Sequence, residues 1–347
     1  MEQLELPVDQ FQRYLLTSRL VRMLDVPAGG RILDLGGAPG PIELFLPEYE
    51  VVVLDIEGEH PGGRFVIADG GALPFADGTF DAVVSLDTLE HVPTSVRASF
   101  LSEARRVSTG AVVLSAPFDT PGVAAAERAL LEFITARLSS DFPTAVWLQE
   151  HVDWGLPKLD DSLAGLTGGS WVAQALPSGY LPRWLGTMVA DHELLATGLP
   201  DLNGLHAYYN AHVSPADART PSYRHILAAS CKLSKDELAR RVASLRSADD
   251  DPVEATAAVS AMAAALMQHR LGASFSSGQL RAVETERDEL ARRVHDLERV
   301  VADRDAHLNE LRDRLQAPLG ESARRIVRSG GARLQALLPT NAKGKSE

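Results

Sequence analysis

Over the first third of the chain, short apolar runs alternate with longer mixed stretches. ILDL at 32–35, VVVLD at 51–55, FVIAD at 65–69, FDAVVSL at 80–86 and AVVLSAP at 111–117 are rich in valine and isoleucine and too short for helices. Runs with no polar face predict parallel strands buried on both sides. Before them, Phe11, Leu15, Leu16, Leu20 and Leu24 recur at helical spacing over 8–24, and Pro27, Gly29 and Gly30 end that segment. A further helix is predicted over 96–107. Strands alternating with helices imply an α/β, doubly wound sheet.

The pattern changes after residue 118. Aromatic residues, prolines and glycines are scattered, and helices are suggested only around 121–139 and 182–197. The run at 225–231 reads as a last strand, so 119–224 reads as an insertion before it and 1–232 as one domain. Residues 233–271 read as an alanine-rich helical linker region, interrupted by an acidic run at 249–251 and by Pro252. Beyond GASFSSG at 272–278, Leu280, Val283, Arg287, Leu290, Val294, Leu297, Val301, Arg304, Leu308, Leu311 and Leu315 step by three and four. That is a coiled-coil seam over 279–317, and its nearest available partner is a second copy of the chain. The arginine-rich tail, 318–347, is a candidate contact for an anionic membrane surface, with a solvated, disordered tail as the other reading.

Composition narrows the function classes. A net charge of -13 argues against a general nucleic-acid binder and against nucleic acid as a partner, since phosphates require a basic face. Cys231 is the sole cysteine, so neither an internal disulfide nor a cysteine-rich zinc site can form. The opening MEQLELPVDQ is acidic and lacks the apolar core of a signal peptide, and no membrane-spanning run is present. Together these point to a cytoplasmic protein.

The chemistry concentrates in ILDLGGAPG at 32–40. A strand running into a glycine-rich turn is the start of a nucleotide-type site, but the G-x-G-x-x-G spacing fails here, because Ala38 and Pro41 stand at its second and third glycines. An acid also precedes the turn. Asp34 suits an ammonium group and would be a poor neighbour for a pyrophosphate. Asp55 ends the next strand, where a carboxylate accepts ribose hydroxyls, and Asp69 follows the third, in reach of an adenine amino group. Three acids at the ends of successive parallel strands meet in one crevice.

ILDLGGAPG, VVVLD and above all ADGGALPFADGTFDAVVSLDTLEHVP at 68–93 resemble the class I S-adenosylmethionine-dependent methyltransferases, specifically the type 11 family acting on small molecules. The resemblance covers about residues 28–118 and implies a Rossmann-like fold with S-adenosylmethionine as cofactor. It implies that Asp34, Gly36 and Gly40 surround the methionine portion, Asp55 the ribose, and Asp69 with Gly70 the adenine, with Gly37 and Ile56 also in the cofactor site. Asp87 falls near where the methyl would be presented, and His91 matches a position that orders the following loop. Ala38 departs from the glycine usual in the family.

For the methyl acceptor, WLQEHVDWGLP at 147–157 gathers Trp147, Trp154, Glu150, His151 and Asp153, a mixture suited to a sugar or another polyhydroxylated molecule. His151 is the candidate general base. A second cluster at 208–224 reads as an ordered loop in which Arg224 pairs with Asp217. No H-x-x-x-H or H-E-x-x-H spacing occurs, so no metal site is expected. The leading expectation is methyl transfer to a small molecule or glycan, most readily at oxygen. The alternatives are a cofactor-binding, non-catalytic head on a coiled-coil scaffold, and RNA methylation, suggested by the APG turn alone.

Overall fold

The computed structural model describes residues 3–38, 40–58, 64–196 and 203–247, together with positions 292, 293, 299 and 304. The chain divides into two compact units, Met1–His269 and Arg270–Glu347.

In the first unit, helix α1 (Val8–Met23) leads into strand β1 (Arg31–Leu35), the short helix α2 (Ile42–Phe45), β2 (Glu50–Asp55), β3 (Arg64–Ile67) and β4 (Phe80–Leu86). Helix α3 (Arg97–Val107), β5 (Ser108–Pro117), helices α4 (Pro121–Arg137), α5 (Pro143–Trp154) and α6 (Leu159–Leu166) come next. β6 (Val172–Tyr180), α7 (Leu181–Ala196), α8 (Asn203–His212), β7 (Ser222–Ser230) and α9 (Lys235–Ala243) complete it. The strands form one seven-stranded sheet in the order β3-β2-β1-β4-β5-β7-β6. The first five run parallel, while β7 is antiparallel to both β5 and β6. This is the expected doubly wound, Rossmann-like sheet.

Both faces of the sheet are covered, which is why its central strands carry no polar face. Ile32, Val53, Val84 and Val113 point to one side, against Phe11, Leu20 and Val21 of α1. Leu33, Val52, Val83 and Val112 point to the other, against Phe100, Leu101 and Ala104 of α3. Ile32, Leu33 and Val83 expose no surface, and burial of such a side chain contributes roughly 1.5–3 kcal/mol. A third cluster joins α4, α5 and α7 through Leu130, Ile134, Leu148 and Trp184, with Trp184 stacked on Tyr223 of β7 at 3.5 Å. This layer lies outside the sheet's own core and carries the residues expected to face an acceptor.

Two boundaries differ from expectation. The insertion at 119–224 is not uniform, because it contains β6, a strand of the sheet itself. β6 is an edge strand, half-buried along its first four residues and carrying Pro177 and Gly179, so it lacks the apolar run of a central strand. The expected linker region also begins too early. α9 is part of the domain, since Leu238 and Val242 are buried in the α1-side core, and Ser234 caps its first turn by accepting from the Glu237 amide. Beyond residue 247, the rest of that region, the coiled coil and the basic tail lie outside the described residues, apart from four arginines, all helical: Arg292, Arg293, Arg299 and Arg304. Among the described residues, no helix is long and apolar enough to cross a membrane.

Candidate cofactor and acceptor site

The strand order reverses between β1 and β4, which opens a crevice at the carboxyl ends of the strands. Asp34 lies at this edge, paired in register with Val53 of β2 and Val84 of β4. Its carboxylate is buried, 1% exposed, and neither oxygen has a hydrogen-bond partner. Burial, with Glu43 and Asp55 nearby, pushes its pKa up to about 7, and Arg13 offsets only part of this. A buried carboxylate without a donor is expensive, so this one implies a cation that completes it.

The turn after β1 is shaped around that carboxylate. Gly36 has φ +77, and a Cβ there would meet Thr88 within 2.1 Å. A Cβ on Gly37 would stand 2.0 Å from Asp34 Oδ2, so only glycine leaves the acid open. Gly40 sits beneath the Tyr14 hydroxyl. Asp55 ties this turn to β2: its carboxylate accepts from the Ala38 amide at 3.1 Å and from the Ile56 amide at 2.7 Å. Ile56 is 71% exposed, an apolar side chain standing open at the end of β2. Beyond β3, Asp69 accepts from the Gly71 amide at 2.7 Å, and Gly70 lies against the Phe100 ring. The turn, Asp55 with Ile56, and Asp69 with Gly70 therefore line the ends of three neighbouring strands. An orphan carboxylate, a cradle that a Cβ would fill and an exposed apolar face fit an ammonium-bearing nucleoside.

Asp87 differs from expectation. It has φ 51, a left-handed conformation that aspartate tolerates better than most residues. Its carboxylate is committed to Arg13, to Arg224 at 2.7 Å and to the Ser115 hydroxyl at 2.9 Å. Burial alone would raise its pKa, but Arg224 and Arg13 outweigh it and hold it at about 2. Asp87 is thus an anchor joining α1 to β7, its carboxylate already paired where the sequence suggested one open toward the cofactor. Arg224 also pairs with Asp9, at 2.7 Å, and not with Asp217. Asp217 instead holds Arg183, Tyr209 and Gln12. Both pairings span elements far apart in sequence, which local spacing could not reveal. The expected loop at 208–224 is in part regular: Tyr208, Tyr209 and His212 lie on α8, and Tyr223 and Arg224 on β7.

The acceptor segment is helix α5 as far as Trp154. Trp147 and Trp154 are about half exposed, 54% and 46%, whereas His151 is buried. The His151 Nδ1 lies 2.9 Å from Glu127 of α4, whose same oxygen accepts from the Tyr223 hydroxyl. Its Nε2 faces His91 Nε2 at 3.4 Å, and His91 Nδ1 lies 2.7 Å from Glu150. Glu90, fully buried, stands beside the pair. Burial, and Asp87 after it, raise the Glu90 pKa well above the usual range, while burial and the neighbouring His151 lower that of His91. His91 and Glu90 thus cluster with His151, a contact between distant elements that the loop-ordering position of His91 in the sequence did not reveal.

A family model described as "Methyltransferase domain" matches residues 46–114. A demethylmenaquinone methyltransferase of Corynebacterium urealyticum is 30% identical over 199 residues, covering 52% of this chain and 85% of that protein. An uncharacterised methyltransferase of Mycobacterium sp. (strain KMS) is 40% identical over 77 residues, 19% of this chain, and the chain spans only 31% of that relative's length. The crystal structure of Burkholderia thailandensis 1,6-didemethyltoxoflavin-N1-methyltransferase, with 1,6-didemethyltoxoflavin and S-adenosylhomocysteine bound, is 20% identical, covers 32% of this chain and 55% of that one, and has a TM-score of 0.28. With the glycine turn, three acids at the ends of neighbouring strands, and a relative matched over most of its length, the chain belongs to the class I S-adenosylmethionine-dependent methyltransferases of the type 11 family.

Proposed function

We propose that this protein transfers a methyl group from S-adenosylmethionine to a hydroxyl of a small molecule or glycan. The observation that carries the cofactor half of this reading is Asp34, a buried carboxylate with two unpartnered oxygens beside a turn that only glycine permits. When bound, the cofactor supplies a methyl already activated by its sulfonium.

Asp34 would accept the amino-acid ammonium, and the turn at Gly36, Gly37 and Gly40 would admit the methionine portion. Asp55 would accept the ribose hydroxyls, Ile56 would cover one face of the adenine, and Asp69 with Gly70 would meet its edge. Arg13, Asp87 and Arg224 hold α1 and β7 together at the end of β4, which fixes the floor on which an acceptor would rest. Catalysis of this type is largely alignment and exclusion of water. A hydroxyl acceptor must also lose a proton, and the His91–His151 pair is placed to take it. His91 is the half-buried member, and His151, backed by Glu127, is buried. Exposed Trp147 and Trp154 beside Glu150 and Asp153 suit a polyhydroxylated acceptor. The Corynebacterium urealyticum relative, named for a small organic substrate, supports a small acceptor over a macromolecule.

The test is incubation of the full chain with methyl-labelled S-adenosylmethionine and fractionated small molecules. Label should appear in an organic product together with stoichiometric S-adenosylhomocysteine, in wild type and at a rate about 10²–10⁴-fold lower in His151→Ala. Label in ribonuclease-sensitive material, or no transfer to any fraction, would contradict the proposal.

A further inference from the structure

His91 and His151 come from elements about 60 residues apart, yet their rings meet with centroids 4.8 Å apart and their Nε2 atoms 3.4 Å apart. Each Nδ1 faces a carboxylate, Glu150 for His91 and Glu127 for His151. A carboxylate only accepts, so the ring hydrogen of each histidine belongs on Nδ1, and the Nε2 of a ring that carries one hydrogen presents a lone pair. Two acceptors thus face each other. A shared proton is a poor solution, since 3.4 Å exceeds the usual span of such a hydrogen bond. The separation does match another solution. Two imidazole nitrogens bound at 2.0–2.1 Å to one tetrahedral ion stand roughly 3.3–3.4 Å apart.

Glu90 supplies a third donor. A carboxylate oxygen of Glu90 and one ring nitrogen of each histidine lie within 4.8 Å of one another. Glu90 is 1% exposed, and its Oε2 has no hydrogen-bond partner. The histidines are oriented as metal-bound histidines usually are, each donating its far N–H to a carboxylate. Glu127 is itself fixed by the Tyr223 hydroxyl at 2.9 Å.

We propose that His91 Nε2, His151 Nε2 and the Glu90 carboxylate bind one divalent transition-metal ion of the zinc type. Two nitrogens and one oxygen leave a fourth position open, as in zinc sites that hold a water or a substrate oxygen. On the methyl-transfer reading, and resting on it, that oxygen is the acceptor hydroxyl, whose proton the ion makes easier to lose and which then passes to solvent water, because the metal-bound Nε2 lone pairs no longer take it as they would in the metal-free pair. The binding claim itself needs no methyl donor.

The untagged full chain, stripped with a chelator, is titrated with cobalt(II) alone and then with zinc(II). The expected result is one cobalt per chain, with the intense visible absorption of a four-coordinate nitrogen–oxygen site, erased by one equivalent of zinc. His91→Ala and Glu90→Gln should lose that absorption, and Glu127→Gln should weaken binding by about 10–100-fold. His212→Ala, an exposed histidine on α8, should bind as wild type. Circular dichroism confirms the fold of each variant, and Glu127→Gln, which keeps all three ligands, decides the matter if an alanine variant unfolds. Folded wild type that gives no cobalt absorption overturns the site, as does undiminished binding in His91→Ala or Glu127→Gln. Methyl transfer by a protein that binds no metal would refute this inference alone.

Discussion

Replacing Asp34 with asparagine should make the protein more stable and less able to bind its cofactor. The carboxylate is buried without a donor, and its folded pKa of about 7 lies above the ordinary aspartate value of 3.8. The sign follows from proton binding. Between pH 3.8 and about 7 the folded state holds this proton more tightly than the unfolded state, so stability falls as pH rises through that window and the cost is complete above it. The difference corresponds to roughly 4 kcal/mol at pH 8, as an order of magnitude. An asparagine removes that cost but leaves an amide unpaired, at about 1–3 kcal/mol, so a net gain on the order of 1–3 kcal/mol remains. Urea denaturation at pH 5 and pH 8 measures it. Wild type should lose stability relative to Asp34→Asn between the two pH values. S-adenosylhomocysteine affinity, read by isothermal titration, should fall about 10–100-fold in the variant, since a charged hydrogen bond contributes about 1.5–3 kcal/mol. In wild type that affinity should decline below about pH 7, because the ligand's ammonium requires the deprotonated carboxylate. Unchanged affinity with no gain in stability would refute the reasoning, because Asp34 would then be neither strained nor a ligand.

Asp55→Ala should also weaken S-adenosylhomocysteine binding by about 1.5–3 kcal/mol in a calorimetric titration, through loss of a charged acceptor and of the brace on the Ala38 amide. Arg224→Met leaves Asp9 and Asp87 with Arg13 as their remaining shared partner, and urea denaturation should show a loss of about 1.5–3 kcal/mol. The heptads at 280–315 predict a homo-oligomer, so light scattering should show the full chain as a dimer or larger and a chain ending near residue 275 as a monomer.

The parallel half of the sheet was legible because strands buried on both faces are written as continuous apolar runs, as Val51–Leu54 and Val83–Val84 show. β6 was not, since an edge strand interrupted by Pro177 and Gly179 has neither an apolar run nor strict alternation. That Asp34, Asp55 and Asp69 stand toward the same end of the sheet was legible for a related reason: successive parallel strands present their carboxyl ends on one side, whatever lies between them. Side-chain pairing across distant elements had no such rule. Arg224 found Asp9, 215 positions away, instead of nearby Asp217. His91 and His151 came together only because α5 packs on the turn after β4, so a search for ligand spacing within one helix could not see them. The sign of the His151 environment was hidden too, since the sequence does not show that Glu127 of α4 lies behind its ring.

Calorimetric titration of the full chain with S-adenosylhomocysteine, and separately with NAD, tests the central claim most directly. The account predicts one S-adenosylhomocysteine site per chain, lost or strongly weakened in Asp34→Asn, and no binding of NAD, whose pyrophosphate would meet the Asp34 carboxylate. Binding of NAD in place of S-adenosylhomocysteine, or S-adenosylhomocysteine binding that is indifferent to Asp34, would contradict it.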